Sequence, residues 1–236
     1  MEKETADNLL KLVKSNYEKI AVDFDVSRKK PLWPEIVKLG AALGSGSKIL
    51  DVGCGNGRLL AALPGKDIEY LGADNSLEML TLARKNYPSH RFVQADLLDL
   101  SPISGHDFTH IFCLAVWQHI PSESLRIQAL RELKNKLAVG GEVIISVWNM
   151  WSKTIRRKNY RFLILKTWLK SHWLRKEERL DFGDVIFSWK NSSGEELSER
   201  YYHAFTKREL RRLALAAGFK ISELNKDKFN YWLILK

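Results

Sequence analysis

Residues 48–58, KILDVGCGNGR, join an apolar run to a glycine-rich turn. The ILDV part has the continuous apolar character of a central parallel strand, which is buried on both faces. Gly53, Gly55 and Gly57 can adopt positive φ, and they lack the side chains that would hold a ligand away from the backbone. We expect a helix to begin near Arg58 and to direct its unpaired N–H groups at the turn. The stretch therefore predicts a strand, a ligand-binding turn and a helix.

Carboxylates stand at the ends of the first three predicted strands. Four further strands are predicted at residues 70–73, 91–94, 109–115 and 142–147. Asp51 lies in the first strand, Asp74 ends the second and Asp96 follows the third. In open α/β sheets, ligands bind at the carboxyl ends of the parallel strands. Asp74 is suited to accept hydrogen bonds from ribose hydroxyls, and Asp96 from an adenine amino group. The alternative role for both is to cap the helix that follows.

The glycine turn by itself is not specific. Ordinary tight turns and dinucleotide-binding loops have similar glycines at the first strand-to-helix junction. The residue three positions after Gly55 is Arg58, so the G-x-G-x-x-G spacing of nicotinamide-binding loops is absent. The succession of strands and acids must therefore decide the interpretation.

This succession resembles the class I methyltransferases that use S-adenosylmethionine. The resemblance rests on D-V-G-C-G-N-G, the acid that ends strand two, A-D-L after strand three and G-G before strand five. It implies an α/β fold: a Rossmann-like, mostly parallel seven-stranded sheet with helices on both faces and an antiparallel C-terminal hairpin near residues 220–223 and 231–235. It also implies S-adenosylmethionine as cofactor and S-adenosylhomocysteine as product. The cofactor-binding residues carried over are Asp51, Gly53, Cys54, Gly55, Asn56, Gly57, Asp74, Asn75, Asp96, Leu97, Leu114 and Ala115.

Length and composition predict one domain over residues 1–236, because 45% apolar content can bury a substantial core. The N-terminal segment is charged and has helical periodicity, which is atypical of a signal peptide or a membrane anchor. We therefore expect a cytoplasmic protein with no membrane partner. The two cysteines, Cys54 and Cys113, show no C-x-x-C spacing, so we expect no intrinsic metal site.

Positive charge is concentrated after the fifth predicted strand. The chain carries a formal net charge of +10, and residues 151–180 hold ten Lys or Arg residues against two Glu residues. Aromatic residues are interleaved with these cations, so a basic insertion at about residues 151–198 is suited to bind nucleic acid. One alternative is a solvated basic helix whose apolar residues pack on the sheet; those at helical spacing are Phe162, Leu165, Leu169 and Trp173. Another is a helix on an anionic membrane surface.

Three further segments, residues 23–34, 115–120 and 199–205, narrow the resemblance, and residues 183–190 add to it. They resemble the tRNA methyltransferases that esterify the carboxymethyl group on wobble uridine, a family that in animals includes a domain fused to an AlkB-like hydroxylase. The resemblance runs from about residue 17 to the C-terminus. It implies tRNA as partner and, as for eukaryotic members, a small zinc-binding activator protein. In a bacterial setting the related acceptor is a carboxymethoxy group.

Ester formation on a carboxylate requires no general base, since the group is already ionised near neutral pH. Catalysis then depends on holding the carboxylate in line with the methyl group, with cations or donors on its other oxygen. The residues at the family's motif positions that meet this need are Arg28, His119, Arg200, Tyr202 and His203.

Each of these candidates has a structural alternative. Arg28 is alternatively surface charge, His119 a core histidine or helix cap, and Arg200 with His203 a structural pairing. Trp33 and Trp117 are suited to stack on a base, or else to pack in the core. At the level of the whole chain, the alternatives are a methyltransferase for a small carboxylic acid and a non-catalytic RNA-binding relative.

Overall fold

A computed structural model describes residues 1–27, 31–65, 67–152, 160–171, 173, 179–190 and 194–236. The strands are β1 (Ser47–Val52), β2 (Ile68–Asp74), β3 (Arg91–Gln94), β4 (Phe108–Leu114), β5 (Leu137–Trp148), β6 (Asp184–Lys190), β7 (Glu196–His203), β8 (Ile221–Lys226) and β9 (Asn230–Leu235). The described residues form a seven-stranded sheet in the order β3-β2-β1-β4-β5-β9-β8, and β6 pairs with β7 in a separate sheet. The pairs from β3 to β5 are parallel, whereas β9 is antiparallel to both β5 and β8. The predicted seven-stranded sheet and its C-terminal hairpin are confirmed.

The helices cover both faces of this sheet. They are α1 (Lys3–Ser27), α2 (Pro34–Ala42), α3 (Leu77–Asn86), α4 (Glu123–Lys136), α5 (Tyr160–Ser171) and α6 (Lys207–Ala216). Alternate strand residues face opposite cores. Leu50 and Ile111 pack with α4 and α6, whereas Ile49 and Phe112 pack with α2. The central strands are therefore buried on both faces, as their continuous apolar sequence predicts.

The segment after the glycine turn departs from the expected helix. Residues Arg58–Ala62 form a short 3₁₀ helix that begins at Gly57 in the left-handed region, with φ of 80°. A Cβ at Gly57 would lie 2.9 Å from the ring of Tyr87. The crowding and the backbone geometry together require glycine at this position.

The basic insertion packs differently from the expectation. Phe162, Leu165, Leu169 and Trp173 are all exposed, by 64%, 48%, 49% and 92%, so they do not pack onto the sheet. Helix α5 instead buries Ile164 in a small third core with residues of β6 and β7. The expectation that the first four residues anchor the insertion is wrong, because the apolar residue that anchors α5 lies on its opposite face.

In the described part of the chain, no helix has both the length and the apolar character needed to cross a bilayer.

Candidate active site

A cleft of about 320 Å³ opens at the carboxyl ends of the central strands. The glycine turn forms its floor, and α1 contributes Tyr17 and Phe24 to its wall. At this volume the cleft is in the range of small-ligand sites. The described residues contain no group of three or more His, Cys, Asp or Glu side chains arranged to hold a metal ion.

The floor of the cleft depends on the backbone of the glycine turn. Gly53 has φ of 71°, and a Cβ there would lie 2.3 Å from the side chain of Val116. No other residue fits this position, because both the φ value and the space exclude a side chain. Gly53 and Cys54 also donate backbone hydrogen bonds to the Ala73 carbonyl, at 2.7 and 3.0 Å, so the turn is fixed to β2.

Three carboxylates make one end of the cleft acidic: Asp51, Asp74 and Asp96. Asp51 is buried and accepts a hydrogen bond from the Tyr70 hydroxyl at 2.8 Å. Burial raises the pKa of Asp51 to about 7, and the nearby charge of Asp74 adds to this shift. A cationic group that binds beside Asp51 would oppose the shift and favour the ionised carboxylate.

Asp74 holds the glycine turn in place. Its carboxylate accepts backbone hydrogen bonds from Gly55 at 2.9 Å and from Ser76 at 3.0 Å. Burial raises the pKa of Asp74 even so. Ser76, not Asp74, caps α3, because its side chain accepts from the Met79 backbone. The capping alternative for Asp74 is therefore wrong.

Asp96 connects to the same end of the cleft through Asn75, whose side-chain amide donates to it at 3.1 Å. The other carboxylate oxygen of Asp96 accepts from the Leu98 backbone at 2.8 Å. These bonds orient Asp96 beside Asp74 with acceptor capacity left for a ligand.

His119 and Tyr202 lie at the other end, where the cleft is aromatic. His119 follows β4 on the 3₁₀ helix Trp117–His119, and its ring packs on Tyr202 with a centroid distance of 4.5 Å. Its Nδ1 lies 3.0 Å from the Tyr201 carbonyl and its Nε2 lies 2.9 Å from the Tyr17 hydroxyl. Burial lowers the pKa of His119 to about 4, so the imidazole is neutral at physiological pH. His119 therefore acts here as a hydrogen-bonding group and not as a cation.

Arg200 reaches this end of the cleft through Tyr202. Its Nη1 donates to the Tyr202 hydroxyl at 3.2 Å, and its guanidinium lies over the rings of Phe187 and Tyr202 at 5.3 and 5.6 Å. The Nε of Arg200 is buried with no hydrogen-bond partner among the described residues. Because Arg200 donates to the Tyr202 oxygen, the Tyr202 proton is available to an acceptor in the cleft.

His203 lies outside the cleft, in a buried charged cluster. Its Nδ1 is 2.6 Å from Asp184 and its Nε2 is 2.8 Å from Glu209. The Arg126 guanidinium and the Tyr201 hydroxyl both donate to the same Asp184 oxygen, at 3.3 and 2.6 Å. Burial opposes ionisation, but the hydrogen bond from His203 holds the pKa of Asp184 below its ordinary value. The cluster joins β6 and β7 to α4 and α6.

Comparison with known proteins agrees with this geometry. The family model described as "Methyltransferase domain" matches residues 49–141. The tRNA (carboxymethyluridine(34)-5-O)-methyltransferase of Schizosaccharomyces pombe is 30% identical over 228 residues, which cover 92% of this chain and 92% of that protein. The chain belongs to this methyltransferase family.

Other relatives extend the comparison. The Mus musculus protein ALKBH8, which bears the same enzyme name, is 34% identical over 148 residues, 63% of this chain but only 21% of the mouse protein. In the crystal structure of a Burkholderia thailandensis N-methyltransferase, described with its substrate and S-adenosylhomocysteine bound, the fold matches with a TM-score of 0.64 at 18% identity. That match covers 100% of this chain and 90% of the other. The expected class I methyltransferase fold and the resemblance to the wobble-uridine family are thus confirmed.

The structure brings most of the expected cofactor residues of this methyltransferase together. Of the residues carried over from the family, all except Gly57 line the cleft. Gly57 instead begins the 3₁₀ helix behind the turn.

The expected acceptor residues are placed less uniformly. Tyr202 and His119 line the cleft, and Arg200 bonds to Tyr202 behind its wall. The His203 side chain lies in the Asp184 cluster, as its structural alternative predicts. Arg28 lies outside the described residues.

The two tryptophans behave differently. Trp33 lines the cleft, whereas Trp117 is fully buried and stacks on Phe205 with centroids 4.7 Å apart. Trp117 is therefore a core residue and not a stacking platform for a base.

Sequence analysis missed the contribution of α1 to the cleft. The missed residues on α1 are Leu10, Lys11, Val13, Lys14, Tyr17 and Phe24. Their helical spacing gives one continuous face, which was a usable signal. It was overlooked because the glycine turn and the strand ends carry the recognisable motifs, whereas the position of α1 over them depends on tertiary packing.

Proposed function

We propose that this chain transfers a methyl group from S-adenosylmethionine to the carboxylate of a carboxymethyl group on the wobble uridine of tRNA. The observation that carries the proposal is the match to the S. pombe enzyme over 92% of both chains. The two chemically different ends of the cleft support it. One end has three carboxylates, and the other has a phenol polarised by an arginine.

The acidic end fits the cofactor. Asp51 is suited to an ammonium group, Asp74 to ribose hydroxyls and Asp96 to an adenine amino group, since each is a buried or oriented acceptor. When bound, S-adenosylmethionine supplies a methyl group attached to a sulfonium centre. The glycine turn lets such a ligand approach the backbone closely.

The aromatic end fits a carboxylate acceptor. We propose that the Tyr202 hydroxyl donates to one carboxylate oxygen, with the Arg200 charge strengthening that bond. The other oxygen forms the new bond to the methyl carbon, and no proton has to be removed. The neutral His119, with both ring nitrogens already hydrogen-bonded, is consistent with chemistry that needs no general base. Arg28 stays in this proposal as a second cation, whereas His203 is assigned a structural role.

The insertion is proposed to hold tRNA, in a single domain that spans residues 1–236. Helix α5 presents exposed Arg161, Lys166 and Lys170 and contains no acidic residue. Trp173 is 92% exposed nearby in the chain and has a flat face for an unpaired base. A further cationic group lies at residues 153–158, outside the described residues. The zinc-binding activator and the cytoplasmic location stay predictions.

The test is methyl transfer from labelled cofactor into defined acceptors. We expect labelling of tRNA that carries carboxymethyluridine at position 34, under single-turnover conditions, and none of the same tRNA with unmodified uridine. Asp74→Asn is the matched control, because it keeps the size of the side chain but removes its charge at the cofactor end. Labelling of a metabolite extract in preference to tRNA would favour a small-acid methyltransferase, and labelling of neither would favour a non-catalytic relative.

A further inference from the structure

The hydrogen bonds around His119 have a fixed direction. Its Nδ1 faces the Tyr201 carbonyl at 3.0 Å, and a carbonyl oxygen can only accept, so Nδ1 carries the ring proton. In a neutral imidazole the other nitrogen is then an acceptor. The Tyr17 hydroxyl, 2.9 Å from Nε2, must therefore donate to it. Burial, which lowers the pKa of His119 to about 4, keeps the ring in this neutral form.

This direction determines what Tyr17 presents to a ligand. A phenol has one proton, and that of Tyr17 is engaged with His119, so its oxygen offers acceptor lone pairs. Tyr17 and His119 both line the cleft, and the bond between them lies along its wall. Tyr202 on the same wall has the opposite polarity, because it accepts from Arg200 and keeps its own proton to donate. The cleft thus combines one donor phenol and one acceptor phenol.

We propose that Tyr17 is a specificity-determining residue that accepts a hydrogen bond from the imino N3–H of the acceptor uracil ring. This inference rests on the proposed function, which makes the acceptor a modified uridine. Uracil presents a donor at N3, whereas cytosine presents an acceptor there, so a cytosine would place lone pairs against the Tyr17 oxygen. Tyr17 could donate to it only by leaving the His119 Nε2 unpaired in a buried site, which is unfavourable.

The test compares three tRNAs assembled from synthetic anticodon segments. They carry 5-carboxymethyluridine, its N3-methyl derivative or 5-carboxymethylcytidine at position 34. Both analogues lose the N3 donor, but only the first adds a methyl group. We expect the wild-type enzyme to prefer the uridine by roughly 10-fold to 100-fold in single-turnover rate over both analogues. In Tyr17→Phe both preferences should fall to within a few-fold of unity.

Tyr17→Phe keeps the ring contacts to Phe24 and His119 and removes only the hydroxyl. Calorimetric affinity for S-adenosylhomocysteine verifies that the variant is folded. Tyr160→Phe, on α5 and outside the cleft lining, is the matched control, and it should keep the wild-type preference.

Two results would overturn the inference alone: Tyr17→Phe keeps the wild-type preference for uridine, or it loses only the discrimination against the N3-methyl derivative, which indicates a steric effect. If the wild-type enzyme does not methylate the 5-carboxymethyluridine tRNA at all, the proposed function fails and this inference fails with it.

Discussion

Affinity for S-adenosylmethionine should rise with pH through the ionisation of Asp51. Burial raises the pKa of this carboxyl to about 7 in the cofactor-free protein, and only the carboxylate attracts the ammonium group of the ligand. At pH 6 roughly one molecule in eleven has ionised Asp51, and at pH 7.5 about three in four do. The binding constant should therefore increase about eightfold between these pH values, which is ~1.2 kcal/mol.

Isothermal titration calorimetry in buffers of different ionisation enthalpy measures both the affinity and the proton released on binding. Asp51→Asn should bind more weakly, with little pH dependence and no linked proton release. If the wild-type affinity is flat from pH 6 to 7.5, or if Asp51→Asn keeps the eightfold change, the argument from Asp51 is refuted.

The same shift has a consequence for stability. The pKa of Asp51 is higher in the folded protein than in the unfolded chain, so the folded state binds the proton more tightly. The contribution of this group to the free energy of unfolding is largest at low pH and is lost as pH rises from about 4 to 7. Asp51→Asn should therefore stabilise the cofactor-free protein at neutral pH, which urea denaturation measures.

Three other predictions test the remaining parts of the site. Asp184→Ala should lower the free energy of unfolding in urea by about 3–5 kcal/mol, because it leaves a buried guanidinium unpaired, while affinity for S-adenosylhomocysteine stays at the wild-type value. Replacing Arg161, Lys166 and Lys170 together with Ala should weaken tRNA binding and reduce its logarithmic salt slope by about two to three units if all three contact phosphate; a wild-type slope in filter binding would exclude α5 from the interface. Arg200→Ala should lower the single-turnover rate on the order of 100-fold with cofactor affinity retained, and an unchanged rate would remove Arg200 from the acceptor site.

The acidic half of the site was predictable because its residues follow local sequence rules. Glycines that must adopt positive φ and acids that follow buried strands are readable from short segments. Parallel strands then bring their carboxyl ends to one edge, so Asp51, Asp74 and Asp96 line one cleft without any knowledge of side-chain packing. The sheet, its order at the glycine turn and the cofactor end of the cleft were in this sense contained in the sequence.

The acceptor half was less predictable because it joins segments that are distant in the chain. The motif that includes Arg200 and His203 indicated importance but not direction, and the two side chains separate: Arg200 joins Tyr202 at the cleft, while His203 joins Asp184. Adjacent strand residues point to opposite faces, and the irregular pairing around them depends on the β6–β7 hairpin.

What the sequence by itself determined is the methyltransferase fold, its cofactor edge and the excess of positive charge, since each follows from local periodicity, glycine placement or composition. Only the tertiary structure decided that α1 lies over the cleft, that His119 is neutral and that Tyr17 donates to it. The physical reason is that hydrogen-bond polarity and burial belong to the contacts among Tyr17, His119 and Tyr201, which are far apart in the chain. No segment of the sequence contains those contacts until the fold brings the three residues together.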